Sequence, residues 1–177
     1  MQVRLITPQD DIVALTAMLH RAYAPLAAQG LHYVATHQTP EITAERLFKG
    51  HPLAAERDGK IIGTITIYPP TPESRGATYR DPHTCNFGPF AVEPACSGQG
   101  IGRRLHEAGL AHALAQGARF MALDTAEPAA DLIATYQRWG YAFVERVQWR
   151  STNYPSVLMR RSLSGTTPAA PNLSFNR

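Results

Sequence analysis

The sequence predicts a mixed α/β domain, and three features carry that prediction. Two β-rich runs, residues 53–56 and 60–68, flank Asp58-Gly59, a dipeptide that strongly favours a two-residue hairpin turn. Residues 90–105 pass from an apolar strand end through Pro94 and glycines 98, 100 and 102 into a helical period. Beyond residue 117, strand and helix patterns alternate over short connections. With 177 residues, 44% of them hydrophobic, the chain is long enough to bury one sizeable core. One domain is therefore expected over residues 1–163, followed by a tail over 164–177, where Thr, Pro, Ala, Ser and Asn dominate.

Taken in order, residues 1–6 alternate Val3 and Leu5 with polar neighbours, a short strand. Thr7 followed by Pro8 predicts a helix N-cap and first helical position. The helix presents Ile12, Leu15, Leu19 and Tyr23 on one face until Pro25 interferes. Residues 27–39 show no clean period and read equally as a loop or a broken helix. Thr39-Pro40 starts a second helix that ends at Gly50, read as a C-terminal glycine, and His51-Pro52 prevents its continuation. After the hairpin, residues 68–82 are expected to form a long Pro-, Gly- and Ser-containing surface loop. The next strand, residues 84–92, contains Gly88-Pro89, which predicts a bulge or a splayed edge. A helix through Ile101, Leu105, Ala108, Ala111 and Leu114 closes at Gly117. Then follow a strand at 120–124, a helix at 129–139 stopped by Gly140, and strands at 141–144 and 156–161.

Composition narrows the function. The 17 Lys plus Arg against 14 Asp plus Glu leave a net charge of +3 with no basic block and no basic stripe interleaved with aromatics, which argues against a nucleic-acid partner. Two cysteines make no disulfide framework, and no apolar run could span a bilayer, so a cytoplasmic protein with no membrane partner is expected. The seven histidines show no metal spacing, and no metal is expected. The chemistry-bearing stretch is Gly98-Gln-Gly-Ile-Gly-Arg-Arg104. A helix start exposes about four unpaired N–H groups and the positive end of the helix dipole, so this loop reads as an anion site, most naturally for a pyrophosphate. There is no Gly-Lys-Ser/Thr for a triphosphate, and the glycines lie too far along the chain for a dinucleotide fingerprint. On its own, the loop could equally be a plain turn.

Val92-x-Pro94, Gly98-Gln-Gly-Ile-Gly-Arg-Arg-Leu105, Leu123-Asp124 and Tyr136-Gln-Arg-Trp-Gly-Tyr141 resemble, in order and spacing over residues 60–144, the landmarks of the GNAT superfamily of N-acetyltransferases. The resemblance implies a central, mostly antiparallel sheet splayed at its middle, with helices on both faces. It implies acetyl-CoA as cosubstrate, its pantetheine arm paired with the backbone of Phe90, Ala91 and Val92. The pyrophosphate would rest on the loop from Ser97 and Gly98 through Gln99, Gly100, Ile101, Gly102 and Arg103. It implies direct acetyl transfer to a primary amine of a small molecule, with Tyr136 protonating the departing thiolate. Read without the resemblance, Tyr136 is a core aromatic beside Leu132 and Ile133. Two departures stand out: Ser97 replaces a frequent Gln or Arg, and Ala129 a frequent Asn, so the grip on the coenzyme should rest on backbone amides.

An alkyl ammonium, with a reference pKa of about 10.4, must lose a proton before it attacks. The candidate bases are His83, Glu93, Asp124, Glu127 or a water, and no motif selects among them. Cys85 lacks the paired histidine of a thiol nucleophile. Acceptor contacts are expected from Tyr23, His32, Tyr33, the 68–82 loop and residues 149–154, although the same side chains equally suit the core of a helix pair. Other acceptors remain open, namely a protein N-terminus, a ribosomal protein or an aminoacyl-tRNA, as do a non-catalytic acyl-CoA sensor and a homodimer.

Overall fold

A computed structural model of the chain describes residues 1–163; the tail expected over 164–177 lies outside the described residues. Seven strands, β1 (Gln2–Leu5), β2 (His51–Arg57), β3 (Lys60–Tyr68), β4 (Thr84–Val92), β5 (Phe120–Ala126), β6 (Ala142–Val147) and β7 (Ser156–Ser162), form one sheet in the order β1-β2-β3-β4-β5-β7-β6. Every pairing is antiparallel except β4 with β5. The helices are α1 (Ile12–Ala28), α2 (Pro40–Phe48), α3 (Ala77–Arg80), α4 (Ile101–Ala115) and α5 (Ala130–Arg138). The expected mixed α/β sheet with helices on both faces is what the chain adopts.

Strand alternation sorts the core into two layers. In β2, Leu53 and Ala55 point toward α4, where they join Ile65, Leu105, Leu110 and Met121, while Ala54 points to the opposite face with Leu15, Leu19 and Leu47 of α1 and α2. Leu19, Leu47 and Leu105 are fully buried, and truncating any one to Ala should cost about 2–5 kcal/mol.

The sheet splits at its centre. β4 and β5 pair only through Thr84–Phe120, Cys85–Met121 and Asn86–Ala122, and no pairing continues beyond them. The register of β4 on β3 slips between Ile65 and Ile67, so Gly88 and Pro89 together stand opposite the single residue Thr66, one residue in excess; Pro89 has no N–H to give a neighbouring strand. The splay expected from Gly88-Pro89 therefore lies between β4 and β5, while β4 stays paired to β3 on its other side.

Four local expectations are corrected. Helix α1 starts four residues late: Arg4 grips Asp10 at 2.6 Å, Asp10 accepts the Thr7 N–H at 2.8 Å, and this closes a turn, so Asp11 caps the helix through the Ala14 N–H. Pro25 lies inside α1 rather than ending it, because the turn beyond it carries Leu26 into a cluster with Leu31, Ala126 and Tyr154. Gly50 is not a left-handed cap; Lys49 is the C-cap, and a Cβ on Gly50 would come within 2.4 Å of the Ile67 carbonyl oxygen. Residues 68–82 are not all surface, since α3 buries Thr78 and Tyr79. Of residues 27–39, the first two complete α1 and the rest resolve as a loop with a 3₁₀ turn, Val34–Thr36, that leads to the Thr39 cap of α2.

Candidate active site

The glycine loop enters α4 with its donors unspent. A 3₁₀ turn, Pro94–Cys96, turns the chain out of β4, and the Ser97 N–H donates to the Pro94 carbonyl at 3.1 Å. Gly98 and Gly100 both have φ of +75°, a left-handed conformation that L side chains resist. Among the described residues, the N–H groups of Gly98, Gln99, Gly100, Ile101, Gly102 and Arg103 meet no protein acceptor, and Arg104 is the first to bond back, to Gly100 at 3.1 Å. The loop thus presents a row of free amides at the positive end of a 15-residue helix. The Ser97 amide, expected in that row, is already committed. The Gln99 side-chain oxygen accepts from Arg57 at 3.0 Å, tying the loop to the hairpin, and Arg103 pairs with Glu107 one helical turn on.

The edge exposed by the split contributes alternate backbone groups. The Glu93 N–H bonds the Ile62 carbonyl at 2.9 Å, and Ala91 stands opposite Thr64, so hydrogen-bonded pairing with β3 falls on Ala91 and Glu93. Phe90 and Val92 therefore direct their peptide groups into the gap left by β5. The Phe90 carbonyl accepts there from the Tyr23 hydroxyl at 3.2 Å. Of the three strand residues expected to pair with a ligand, the alternation favours two.

Two cavities meet in this gap. The first, of about 270 Å³, is lined by Phe90, Val92, Ser97, Asp124, Leu132 and Tyr136 among others. The second, of about 320 Å³, is lined by Tyr33, Arg46, Asp124, Trp149, Thr152 and Tyr154. Tyr23, Tyr33 and Asp124 belong to both. The Tyr33 ring lies 5.5 Å from Tyr23 and 5.0 Å from Tyr154, centroid to centroid. The Tyr33 hydroxyl is within 2.9 Å of the Thr125 hydroxyl and accepts the Ala126 N–H, which fixes the ring across the mouth between the cavities.

Asp124 is the only one of the four expected carboxylate or imidazole bases to reach the cavities. It leaves β5 just beyond the last β4 pairing and is open to the cavity while ringed by protein. Burial raises its carboxyl pKa above the usual range, against hydrogen bonds from Tyr79 (2.8 Å) and Trp149 Nε1 (2.9 Å) and against the charge of Arg46. Glu93 is held by Arg21 at 2.7 Å, and Glu127 by Arg146. His83 sits at the far end of β4, its carbonyl accepting the Arg119 N–H.

Tyr136 is half-buried on α5 against Phe87, Trp139 and Tyr141, with ring centroids about 6 Å away. Its hydroxyl has no hydrogen-bond partner among the described residues, and burial, reinforced by the neighbouring tyrosines, pushes its pKa well above the usual value. It is both a core aromatic and a cavity wall, so the two sequence readings coexist in one side chain. Ala129 caps α5 without a side-chain bond and instead packs beside Leu31 and Tyr154. Cys85 is core, its thiol raised by burial, and Cys96 packs at the core's edge. His32 is exposed, contributing only its backbone N–H to Asn153. Within the 68–82 loop, Tyr79 reaches Asp124 from beneath. The residue that sequence reasoning missed is Arg46: it reads only as part of an amphipathic helix, and nothing local marks that α2 delivers it to a cavity. Among the described residues no group of His, Cys, Asp and Glu could hold a metal, and no helix is long and apolar enough to cross a membrane.

Comparison with known proteins gives this geometry a context. Residues 16–141 match the model of the acetyltransferase (GNAT) family. The chain is 32% identical over 137 residues to the S-(2-succino)cysteine N-acetyltransferase of Bacillus subtilis (strain 168), covering 75% of this chain and 79% of the relative. The fold resembles the ribosomal-protein-S18-alanine N-acetyltransferase of Escherichia coli, with a TM-score of 0.69 and 16% identity over 98% of this chain and 99% of that one. It also resembles a GNAT family acetyltransferase from Elizabethkingia anophelis with acetyl-CoA bound, with a TM-score of 0.64 and 17% identity over 91% and 97% of the two chains.

Proposed function

Because the chain belongs to the GNAT family and is an N-acetyltransferase, we propose that it moves the acetyl group of acetyl-CoA directly onto a primary amine of a small molecule, both bound at once. The observation that carries this reading is the meeting of two cavities at Asp124, Tyr23 and Tyr33 across the split between β4 and β5. A cosubstrate lying along one side and an acceptor on the other would touch only there.

The residues present fit the cosubstrate. The free amides from Gly98 to Arg103 would hold the pyrophosphate, with Ser97 at the cavity wall, and the outward peptide groups of Phe90 and Val92 would pair with the pantetheine arm, Ala91 packing behind them. Bound acetyl-CoA supplies a thioester carbon for attack. Asp124, or a water it holds, takes the proton from the ammonium. An outward amide of Phe90 or Val92 donates to the thioester oxygen as it gains negative charge. As the C–N bond forms and the C–S bond breaks, Tyr136 gives its phenolic proton to the sulfur. Its raised pKa keeps that proton in place until the thiolate appears.

A small acceptor is favoured by the likeness to the S-(2-succino)cysteine N-acetyltransferase of Bacillus subtilis, named for an amino compound, and by Trp149 and Tyr154 in the lining of the second cavity. The domain is assigned to residues 1–163, since β1, β6 and β7 complete the sheet outside the family match. Thermal melting with acetyl-CoA tests the donor side. At a hundredfold excess over the dissociation constant, the stabilisation should reach about 2.7 kcal/mol, several degrees in melting temperature, and no shift at saturation would sink the proposal. Thiol release with small amines, peptides and charged tRNA tests the acceptor: turnover confined to peptides or tRNA would replace the small-molecule reading.

A further inference from the structure

We propose that Arg46 is the anchor for a carboxylate on the acceptor, so that the substrate class is the carboxylate-bearing primary amine, an amino acid or an S- or N-substituted derivative of one, bound with its carboxylate on Arg46 and its amine at Asp124. The proposal rests on the acetyltransferase reading and adds to it the group that selects the acceptor.

Arg46 sits near the end of α2, half-buried, in the wall of the acceptor cavity. None of the ion pairs among the described residues includes it. A guanidinium taken partly out of water is costly unless a charge or a full set of acceptors compensates it. Here its protein partner is neutral: Arg46 Nη1 donates to the side-chain oxygen of Gln38. Gln38 is itself buried, 1% exposed, and its amide nitrogen donates to Thr43 Oγ1 at 2.7 Å. Thr43 in turn bonds the Thr39 carbonyl and receives the Thr16 hydroxyl at 2.8 Å. The Arg46 carbonyl accepts from the Tyr68 hydroxyl at 2.8 Å. Backbone and side chain are thus both fixed, and the group that orients the guanidinium leaves its charge unspent.

The acid that shares the cavity, Asp124, is engaged by Tyr79 and Trp149 instead of forming an ion pair with Arg46. The cavity therefore carries a cation and an anion that form no ion pair with each other, and the neutral rings of Tyr23, Tyr33 and Tyr154 complete its lining. Two unlike poles in about 320 Å³ match a small zwitterion: a carboxylate to fill the guanidinium fork bidentately and an ammonium to meet the carboxylate that must deprotonate it. An amine without a carboxylate would leave Arg46 desolvated and uncompensated, which converts recognition into rejection.

The test uses matched acceptors that differ by the carboxylate alone: S-substituted L-cysteines against the corresponding S-substituted cysteamines, assayed by thiol release with the full chain. The wild-type protein should prefer the acid by at least about thirtyfold in kcat/KM, which is on the scale of one charge-assisted bidentate contact. In Arg46→Gln that ratio should fall to within about threefold, chiefly through KM for the acid, and Arg46→Lys should restore part of it because the charge returns without the fork. Calorimetric titration of an N-acetyl-S-substituted cysteine into the protein with CoA provides a readout independent of turnover: affinity should drop at least tenfold in Arg46→Gln. Melting of both variants confirms that they are folded. An unchanged acid-to-amine ratio in folded Arg46→Gln, or equal wild-type turnover of both members of a pair, overturns the proposal while leaving acetyl transfer intact. A tenfold binding loss in a protein that acetylates no amine upholds the carboxylate site and overturns the catalytic reading instead.

Discussion

The halves of the cleft proposed to hold the donor and the acceptor are built from different materials. On the donor side, the contacts offered to a ligand are peptide groups: the amides from Gly98 to Arg103 and the outward edge of Phe90 and Val92. On the acceptor side they are side chains drawn from α1, α2, β5 and the 148–155 segment, namely Tyr23, Arg46, Asp124, Trp149 and Tyr154. A backbone site depends on conformation, so it tolerates changes of side chain that leave φ alone. A side-chain site depends on identity, so conservative changes should be felt at once. Substitutions chosen to respect one rule and violate the other put that contrast to the test.

The largest effect should come from Asp124→Asn, which preserves shape and removes the carboxylate proposed as the base. General-base catalysis is typically worth about 10²- to 10⁴-fold, and kcat/KM should fall within that range. The pH profile gives a second readout. The carboxyl must be ionised to accept a proton, and burial raises its pKa, so wild-type activity should rise with pH along a limb displaced above the usual carboxyl range. The asparagine variant should lose that limb. Stability runs the other way: a folded-state pKa above the unfolded value gives stability that is present at low pH and lost as pH rises through the folded pKa. Loss of activity in acid is then not unfolding through this group. A variant within threefold of wild type that keeps the same limb would assign the proton to water and leave Asp124 as a bracket for Tyr79 and Trp149.

Tyr136→Phe should come next. A CoA-type thiol has a reference pKa of about 8.5, so help from a phenol lies at the low end for general acids, about 10² in kcat. The hydroxyl bonds no described residue, so the melting temperature and the KM for acetyl-CoA should barely move. An unchanged kcat alongside an intact acetyl-CoA melting shift would reduce Tyr136 to its packing against Phe87, Trp139 and Tyr141.

The same contrast explains what could be read from the sequence. Glycines 98 and 100 and the interrupting Gly88-Pro89 are local signals, because a left-handed turn or a missing N–H is a property of one residue wherever it lies. They mark the split, and the loop proposed to hold the donor, without reference to any distant contact. The hairpin and most element boundaries were legible for the same reason. The errors arose where distant partners decide: Asp10 is drawn into a turn by Arg4, Pro25 is overridden by the packing of Leu26, and Gly50 is small because Ile67 passes close by. The acceptor side is entirely of this second kind. Asp124 could be named only as one of four carboxylate or imidazole candidates, and the split strands alone separate it from Glu93 and Glu127. Arg46 could not be named at all, since its position depends on Gln38 folding back beneath it.

The smallest effects test the donor side against its own rule. Gly100→Val forces a β-branched side chain to φ of +75°, at a cost of about 1–3 kcal/mol; if the turn relaxes instead, it rotates the amides on either side of residue 100 away from their common direction. Acetyl-CoA affinity should fall roughly tenfold to a hundredfold, with little change in the acceptor KM. Gly102→Ala keeps a helical φ, and its new Cβ would lie 3.5 Å from Phe90 Cζ and 3.6 Å from Val92 Cγ2, ordinary contact distances. Alanine in a helix is favoured over glycine by up to about 1 kcal/mol, so this variant should melt slightly higher and bind acetyl-CoA within about twofold of wild type. Neither change removes a side chain that could contact the ligand, so the comparison sets a strained backbone with a bulky side chain against an unstrained one with a single added methyl. If Gly102→Ala weakens binding as much as Gly100→Val, crowding of the phosphates rather than amide direction governs the loop, and the backbone account of the donor side fails.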